Sequence, residues 1–215
     1  MSKKEQKSQN KKHPIITLFI LLLLEAGLVF LFLPKDMVVR STAYEQKAVG
    51  SYLGEMTAER IKESSDKWYR AAFVESGFLY ATYNFFGQYD KDDGLNFDDR
   101  GLGRLIDKRL DVFWLATYLA TYRFSLLIVW LPYLFPIILA ASVDGLLQRE
   151  IRKWQFSFSS PMAHQSAARV IYGAVALAIL APFLPVPTPP LAAPVLLGVI
   201  AVALWVNFAN IQKRI

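Results

Sequence analysis

The 215-residue sequence contains no cysteine and only two histidines, His13 and His164. Without cysteine it can form no disulfide bond, no thiolate nucleophile and no cysteine-ligated zinc or iron–sulfur centre. The two histidines are far apart in the sequence, which argues against a histidine-rich metal site. The acidic stretch 89–99 lacks EF-hand spacing, because with Gly94 at loop position six a ligand position falls on Lys91. We therefore expect no bound metal and no cofactor.

Enzyme motifs are also missing. The sequence has no glycine-rich nucleotide loop and no Ser/His/Asp set with catalytic spacing. Glu55, Glu59 and Glu63 share one helical face, and a membrane enzyme that uses such periplasmic carboxylates is an alternative. Arg60 and Lys62 lie between them, however, and this mixture of charges is typical of a solvated helix surface. We therefore predict that the protein is not an enzyme and has no catalytic residue.

Hydrophobic residues are abundant, at 54% of the chain, and they are arranged in long runs. A helix that crosses a hydrocarbon core of about 30 Å needs about 20 predominantly apolar residues. The sequence predicts four such helices, at 15–33, 112–142 (with an interfacial extension), 167–184 and 191–208. The proline-rich connection 185–190 cannot continue a helix and predicts a tight hairpin. The predicted fold class is an all-α membrane protein with four transmembrane helices.

Basic residues indicate the orientation of these helices. Among the short segments next to the spans, they occur in the tails 1–14 and 209–215 and in the loop 143–166, whereas the hairpin has none. Residues 34–111 also carry Lys and Arg, but this region exceeds the length of roughly 60 residues over which the charge rule applies. Because Lys and Arg are enriched in cytoplasmic loops, we expect a multi-pass protein of the bacterial inner (cytoplasmic) membrane with both termini cytoplasmic. The first apolar run is longer than a signal peptide core of roughly 7–15 residues, which favours an uncleaved anchor over a cleaved signal. The net charge of +6 is attributed to this topology and not to sequence-specific nucleic-acid binding.

Residues 34–111 are predicted to form a small helical periplasmic region between the first two spans. Residues 44–86 have helical periodicity, with plausible breaks at Gly54 and at the serine pair 64–65. A region of this size can build little independent core. We expect its helices to contact the membrane surface, one another or a partner.

Three aromatic residues, Trp114, Tyr118 and Tyr122, recur every four residues before the second span. Aromatic side chains of this kind line membrane interfaces, but the same stripe is typical of helix–helix packing. Both interpretations stay open from the sequence.

Two charged residues are predicted to lie within the membrane, Glu25 and Arg123. A carboxylate in the middle of a span costs about 2.5–3.5 kcal/mol on insertion scales, so Glu25 should face protein or be protonated. Arg123 is its natural partner, although both side chains would have to stretch, and contact of Arg123 with lipid headgroups is the alternative. A small transporter or channel subunit organised around these two residues is the alternative function.

The segment after the second span combines an apolar face with a basic face. Its apolar side chains recur at helical spacing, at Leu147, Ile151, Trp154 and Phe158. Its basic side chains take the other face, at Arg149, Arg152 and Lys153. An amphipathic helix of this type lies at the membrane surface or binds a partner.

The residues in and around this segment resemble one protein family. The resemblance rests on Tyr122-Arg123, a proline-containing span, Asp144-Gly145-Leu146, Arg149, Ile151-Arg152, and Ser160 ahead of His164. This pattern resembles an inner-membrane family encoded by integrative conjugative elements and conjugative plasmids, near the coupling ATPase of a type IV secretion system. The match in residues covers about 113–215, and the match in hydropathy covers the whole chain.

The resemblance implies a non-enzymatic component of a conjugative DNA-transfer system that holds or modulates the coupling ATPase. The expected partners are membrane lipid and that ATPase or another membrane protein of the system, and the pattern also allows homo-oligomers. The expected partner-binding residues are Asp144, Arg149, Arg152, Lys153 and Trp154.

Overall fold

The computed structural model describes residues 14–87, 99–155, 160–184 and 186–211. These parts of the chain form seven α-helices: α1 (Pro14–Phe32), α2 (Lys35–Leu53), α3 (Glu55–Tyr69), α4 (Phe78–Gly87), α5 (Asp99–Trp154), α6 (Pro161–Leu180) and α7 (Ala192–Ala209). A π-helical turn, Arg70–Val74, follows α3, and a 3₁₀ turn, Ala181–Phe183, follows α6. No strand occurs among the described residues, which confirms the all-α fold class. The basic tail before residue 14, most of the acidic stretch 89–99 and Phe158 lie outside the described residues.

Helix α5 is the axis of the molecule. Its 56 residues span about 84 Å at 1.5 Å per residue, far more than a hydrocarbon core of about 30 Å. The first half of α5 contacts α1 to α4, and the second half packs against α7, which α6 also contacts. The predicted span 112–142 and the first part of the predicted loop 143–166 are thus one helix, which Pro132 and Pro136 do not interrupt.

The apolar helices agree with a membrane protein. Three described helical stretches are long and apolar enough to cross a membrane: Leu105–Trp154, Pro161–Phe183 and Ala192–Ala209. A fourth span results if Ile16–Phe32 and Lys35–Leu53, which are bent by 113° at their junction, count as one. The bend lies at Pro34, and a residue that precedes proline is disfavoured in helical conformation. The described residues therefore hold three or four candidate spans.

The predicted helical region between the first two spans folds onto α5. The predicted break at Gly54 is confirmed, since its φ of 84° lies in the region that favours glycine. The predicted break at the serine pair 64–65 is wrong. Helix α3 continues through it, and there Ser65 is buried and its hydroxyl donates to the carbonyl oxygen of Lys62 at 2.7 Å.

Two hydrophobic clusters join this region to α5. One contains Val29, Leu33, Val38, Val112 and Leu119. The other contains Val49, Ile61, Tyr122 and Leu126. Helices too short to build an independent core thus obtain one from the long helix, which is the physical reason why α2 and α3 pack against it.

The aromatic stripe on α5 serves helix packing. Trp114 and Tyr122 are buried, and the hydroxyl of Tyr118 donates to Asp66 Oδ1 at 2.7 Å. The ring of Tyr69 contacts both Trp114 and Tyr118 edge to face. The sequence left open whether these aromatic residues line a membrane interface or pack against another helix, and in the structure they pack against α3.

Candidate functional site

Arg123 on α5 and Glu45 on α2 form a buried ion pair. The Nη2 atom of Arg123 lies 2.5 Å from Oε1 of Glu45, and Nε donates to Oε2 at 3.0 Å. The two residues are only 4% and 2% exposed. Removing a guanidinium or a carboxylate from water is costly unless each is paired and hydrogen-bonded. The pair therefore holds α2 against α5 at this level.

The same guanidinium binds the described residues of 181–190, which are called the proline hairpin from here on. They comprise the end of the predicted span 167–184 and the predicted hairpin 185–190. Arg123 donates to four of their carbonyl oxygens, those of Ala181, Pro182, Leu184 and Val186. The backbone N–H of Thr188 donates to Oε1 of Glu45 at 2.9 Å. All three nitrogens of the Arg123 guanidinium are thus engaged, and the pair joins α2, α5 and the hairpin.

The proline hairpin needs such a partner for a chemical reason. Proline has no backbone N–H and disrupts regular hydrogen bonding, so a proline-dense segment leaves carbonyl oxygens to be satisfied from outside. Arginine offers five N–H donors in a planar fork and can serve several acceptors at once. Lysine, a compact ammonium, could not reproduce this arrangement.

Sequence reasoning identified Arg123 but missed Glu45. A signal was present, because the buried face of α2 consists of Val38, Ser41, Glu45 and Val49 at helical spacing. Glu45 is the charged member of that face. A charge on an otherwise uncharged buried stripe predicts an ion pair, but it does not predict the partner.

Arg123 has a different partner from the expected one. Among the described residues Arg123 bonds to Glu45 and the hairpin and not to Glu25, and α1 is bent by 113° relative to α2, which supplies Glu45. The Oε1 atom of Glu25 is buried without a hydrogen-bond partner among the described residues. Arg123 is also too buried to extend to lipid headgroups, since its guanidinium points to Glu45 and the hairpin.

Arg152, near the other end of α5, binds the end of α7. Its Nη1 atom donates to Oδ1 of Asn210 at 2.9 Å and to the carbonyl oxygen of Ala209 at 3.3 Å. Asn210 Oδ1 also accepts from the backbone N–H of Ser160 at 3.3 Å. The last carbonyl groups of a helix lack intrahelical partners and attract cations. Arg152 therefore fastens the end of α5 to the end of α7 and the start of α6.

Further contacts hold the same three helices together. Asp144 Oδ2 accepts a hydrogen bond from Trp205 Nε1 at 2.5 Å. His164 and Asn207 are joined by two contacts. The Nδ1 atom of His164 lies 3.2 Å from the carbonyl oxygen of Asn207, and Nδ2 of Asn207 donates to the carbonyl oxygen of His164 at 3.3 Å. A Cβ atom added to Gly145 would lie 2.8 Å from the carbonyl oxygen of Trp205, so α5 and α7 approach closely here. Several residues of the resemblance thus lie where α5, α6 and α7 meet.

The five expected partner-binding residues divide into two groups. Asp144 and Arg152 contact α7, as described above. The other three, Arg149, Lys153 and Trp154, form no hydrogen bond or ion pair with α7 among the described residues, and they are called the α5-end surface below. Lys153 pairs with Glu150 on the same helix, and Trp154 is 81% exposed. Arg149 is half-buried and forms no hydrogen bond or ion pair within the described parts of the chain.

A third polar cluster lies where α4 meets the first half of α5. The hydroxyl of Tyr83 donates to Asp111 Oδ1 at 2.8 Å, and Lys35 Nζ lies 3.6 Å from Asp111 Oδ2. Burial, the hydrogen bond to Asp111 and the nearby negative charge raise the pKa of Tyr83 to about 12. The phenol therefore keeps its proton as a donor, and it ties α4 to α5 at neutral pH.

Comparison with known proteins identifies the family. A model of the DtrJ-like family, described as IncC plasmid conjugative DNA transfer protein DtrJ-like, matches residues 32–212. No curated protein and no solved structure matches the chain. The match covers α2 to α7 and includes the Glu45–Arg123 pair, the proline hairpin and the Arg152 contacts. The chain therefore belongs to the DtrJ-like family of conjugative DNA transfer proteins.

Proposed function

We propose that the protein is a non-enzymatic inner-membrane component of a conjugative type IV secretion system that holds or modulates the coupling ATPase. The observation that carries this proposal is the α5-end surface. Half-buried Arg149 and exposed Lys153 and Trp154 form a basic and aromatic group at the end of a helix that Arg152 attaches to α7.

Rigidity supports a binding role for this surface. Arg152 and Asp144 hold the last turns of α5 against α7, so the side chains of the α5-end surface are presented in a fixed arrangement. A fixed arrangement lowers the entropic cost of binding a partner. Exposed tryptophan and arginine are the residue types that dominate protein–protein interfaces.

The distribution of basic residues supports the proposed side of the membrane. Arg149, Arg152 and Lys153 lie at one end of the α5–α7 bundle, and the proline hairpin without basic residues lies at the other. By the positive-inside tendency, the α5-end surface then faces the cytoplasm, where a coupling ATPase has its nucleotide. Residues 34–111 are accordingly periplasmic, and both termini are cytoplasmic.

Adhesion to anionic lipid is the rival role for the same surface. Attraction to anionic headgroups contributes about 1 kcal/mol per basic residue and depends little on whether that residue is Arg or Lys. A protein site distinguishes the two, because arginine forms planar two-pronged hydrogen bonds that lysine cannot copy. Exchange of Arg149 for lysine therefore separates the two roles.

The test compares Arg149→Lys with Arg169→Lys, a control at an exposed arginine on α6 outside the α5-end surface. We expect Arg149→Lys to reduce DNA transfer and recovery of the tagged coupling ATPase from mild detergent, with the amount of protein in the membrane unchanged. Arg169→Lys should leave transfer and recovery unchanged. Wild-type transfer and recovery with both Arg149→Lys and Arg149→Ala would show that the surface is a lipid anchor only.

A further inference from the structure

The turn between α2 and α3 exposes large apolar side chains. This α2–α3 corner, defined as residues 51–56, contains Tyr52 and Met56, which are 64% and 73% exposed. They stand on either side of Gly54, where the positive φ turns the chain from one helix into the next. Two large apolar side chains that flank an exposed turn are poorly suited to water.

The position of the corner along α5 places it beside an apolar span. Its inner side packs against α5, where Leu53 and Ala58 belong to the cluster that includes Val129 and Trp130. Trp130 lies seven residues beyond Arg123, which is about 10 Å further along the helix. The outward side chains of α5 at this level are apolar. They are Ile128, Leu131 and Tyr133.

The polar residues of the corner set a limit on its depth. Ser51 and Glu55 are exposed alongside Tyr52 and Met56. A carboxylate is disfavoured in hydrocarbon but tolerated at headgroup level. Amphipathic elements with this mixture bury their apolar side chains about 5–10 Å into the boundary between headgroups and acyl chains.

We propose that the α2–α3 corner inserts Tyr52 and Met56 into the headgroup–acyl boundary of the bilayer that α5, α6 and α7 cross. Leu53 of the corner and Trp130 of α5 pack against the same cluster, and the ring of Trp130 contacts the exposed ring of Tyr133. Glu45 lies two helical turns before Tyr52, so the ion pair with Arg123 sets the height of the corner relative to α5. The region between the first two spans thus touches the membrane at a defined point and is not held by its connecting segments alone.

Single cysteines test the insertion cleanly, because the chain has none of its own. The variants Tyr52→Cys and Met56→Cys carry a nitroxide label in full-length protein, in nanodiscs of phosphatidylethanolamine and phosphatidylglycerol. Collision with oxygen reports lipid, and collision with a water-soluble nickel chelate reports solvent. Glu63→Cys is the matched control, since residue 63 is exposed and lies two turns beyond Met56 on the same face of α3. Tyr133→Cys is the reference for a lipid-facing site.

The expected ratio of oxygen to nickel collisions at residues 52 and 56 is several-fold higher than at residue 63 and approaches that at residue 133. A ratio equal to that at residue 63 would overturn the proposal, because the corner would then lie in water. Low collision with both reagents would also overturn it, since that pattern indicates contact with protein. If Tyr52→Cys lowers the thermal unfolding midpoint, Met56→Cys on the other side of the turn decides the outcome.

Discussion

Glu45 and Arg123 are 78 residues apart in the sequence, yet their side chains meet at 2.5 Å where α2, α5 and the proline hairpin converge. The carboxylate also accepts the N–H of Thr188, and the guanidinium also serves carbonyl oxygens of the hairpin. Each charged group is therefore needed by the other and by the hairpin backbone.

Removal of one partner should destabilise the protein strongly. Arg123→Met leaves the carboxylate of Glu45 buried without its cation, which costs about 3–5 kcal/mol for a buried pair. The double variant Arg123→Met, Glu45→Leu should recover part of this loss, because no unpaired charge remains. The measurement is the midpoint of thermal unfolding in mild detergent, with Glu63→Gln as an exposed control. A wild-type midpoint for Arg123→Met would show that the ion pair does not support the fold.

The close approach of α5 and α7 at Gly145 should not tolerate a side chain. Gly145→Ala places a Cβ atom 2.8 Å from the carbonyl oxygen of Trp205, so the helices must separate. Overpacking of this kind costs about 1–3 kcal/mol. Gly198→Ala on α7 is the matched control, because a Cβ atom there meets nothing within 4 Å. Equal unfolding midpoints for the two variants would contradict the tight contact.

Substitution of Arg149 and of Arg152, one helical turn apart on α5, should affect different properties of the protein. Arg152→Lys weakens the contacts to Asn210 and Ala209 and should lower stability by about 1 kcal/mol, the size of one hydrogen bond. Arg149→Lys should leave the unfolding midpoint unchanged while DNA transfer falls. Unfolding and transfer assays on the two single variants distinguish these outcomes. If Arg149→Lys lowered the unfolding midpoint and Arg152→Lys did not, the structural role would belong to Arg149 and not to Arg152.

Reporter fusions test the orientation. Fusions after residues 14, 150 and 215 should report the cytoplasm, and fusions near residues 75 and 188 should report the periplasm. The physical reason is that Lys and Arg occur in the short segments of the first group and not in the short hairpin, whereas residues 34–111 are too long for the charge rule to apply. The fusions near residues 75 and 188 serve as controls for each other, since both segments are expected on the periplasmic side. A periplasmic signal at residue 150 would refute the proposed orientation.

Features that depend on local chemistry were predictable from the sequence. Uninterrupted apolar runs predicted the helices that could cross a membrane, because hydropathy acts within one segment. Gly54 was predictable as a break because glycine alone adopts its backbone angles without strain. The serine pair 64–65 misled the prediction, since burial against α5 overrode the weak helix propensity of serine.

Features that depend on distant contacts were not predictable in the same way. The partner of Arg123 comes from a helix more than 70 positions away, and it depends on the direction in which α1 bends at Pro34. Asp144 and Arg152 bind residues of α7 and its C-terminal end, and these contacts depend on how α7 packs against α5. Both residues stand on an amphipathic segment, where one sequence cannot show which polar side chains face another helix.

The two ends of α7 are attached to the same helix, and this limits how the bundle can move. The hairpin before α7 is bound by Arg123, and Asn210 after it is bound by Arg152. A slide of α7 along α5 by one turn, about 5.4 Å, would break both attachments at once. Displacement of α7 along the axis of α5 is thereby disfavoured, and we expect the two helices to move as one body.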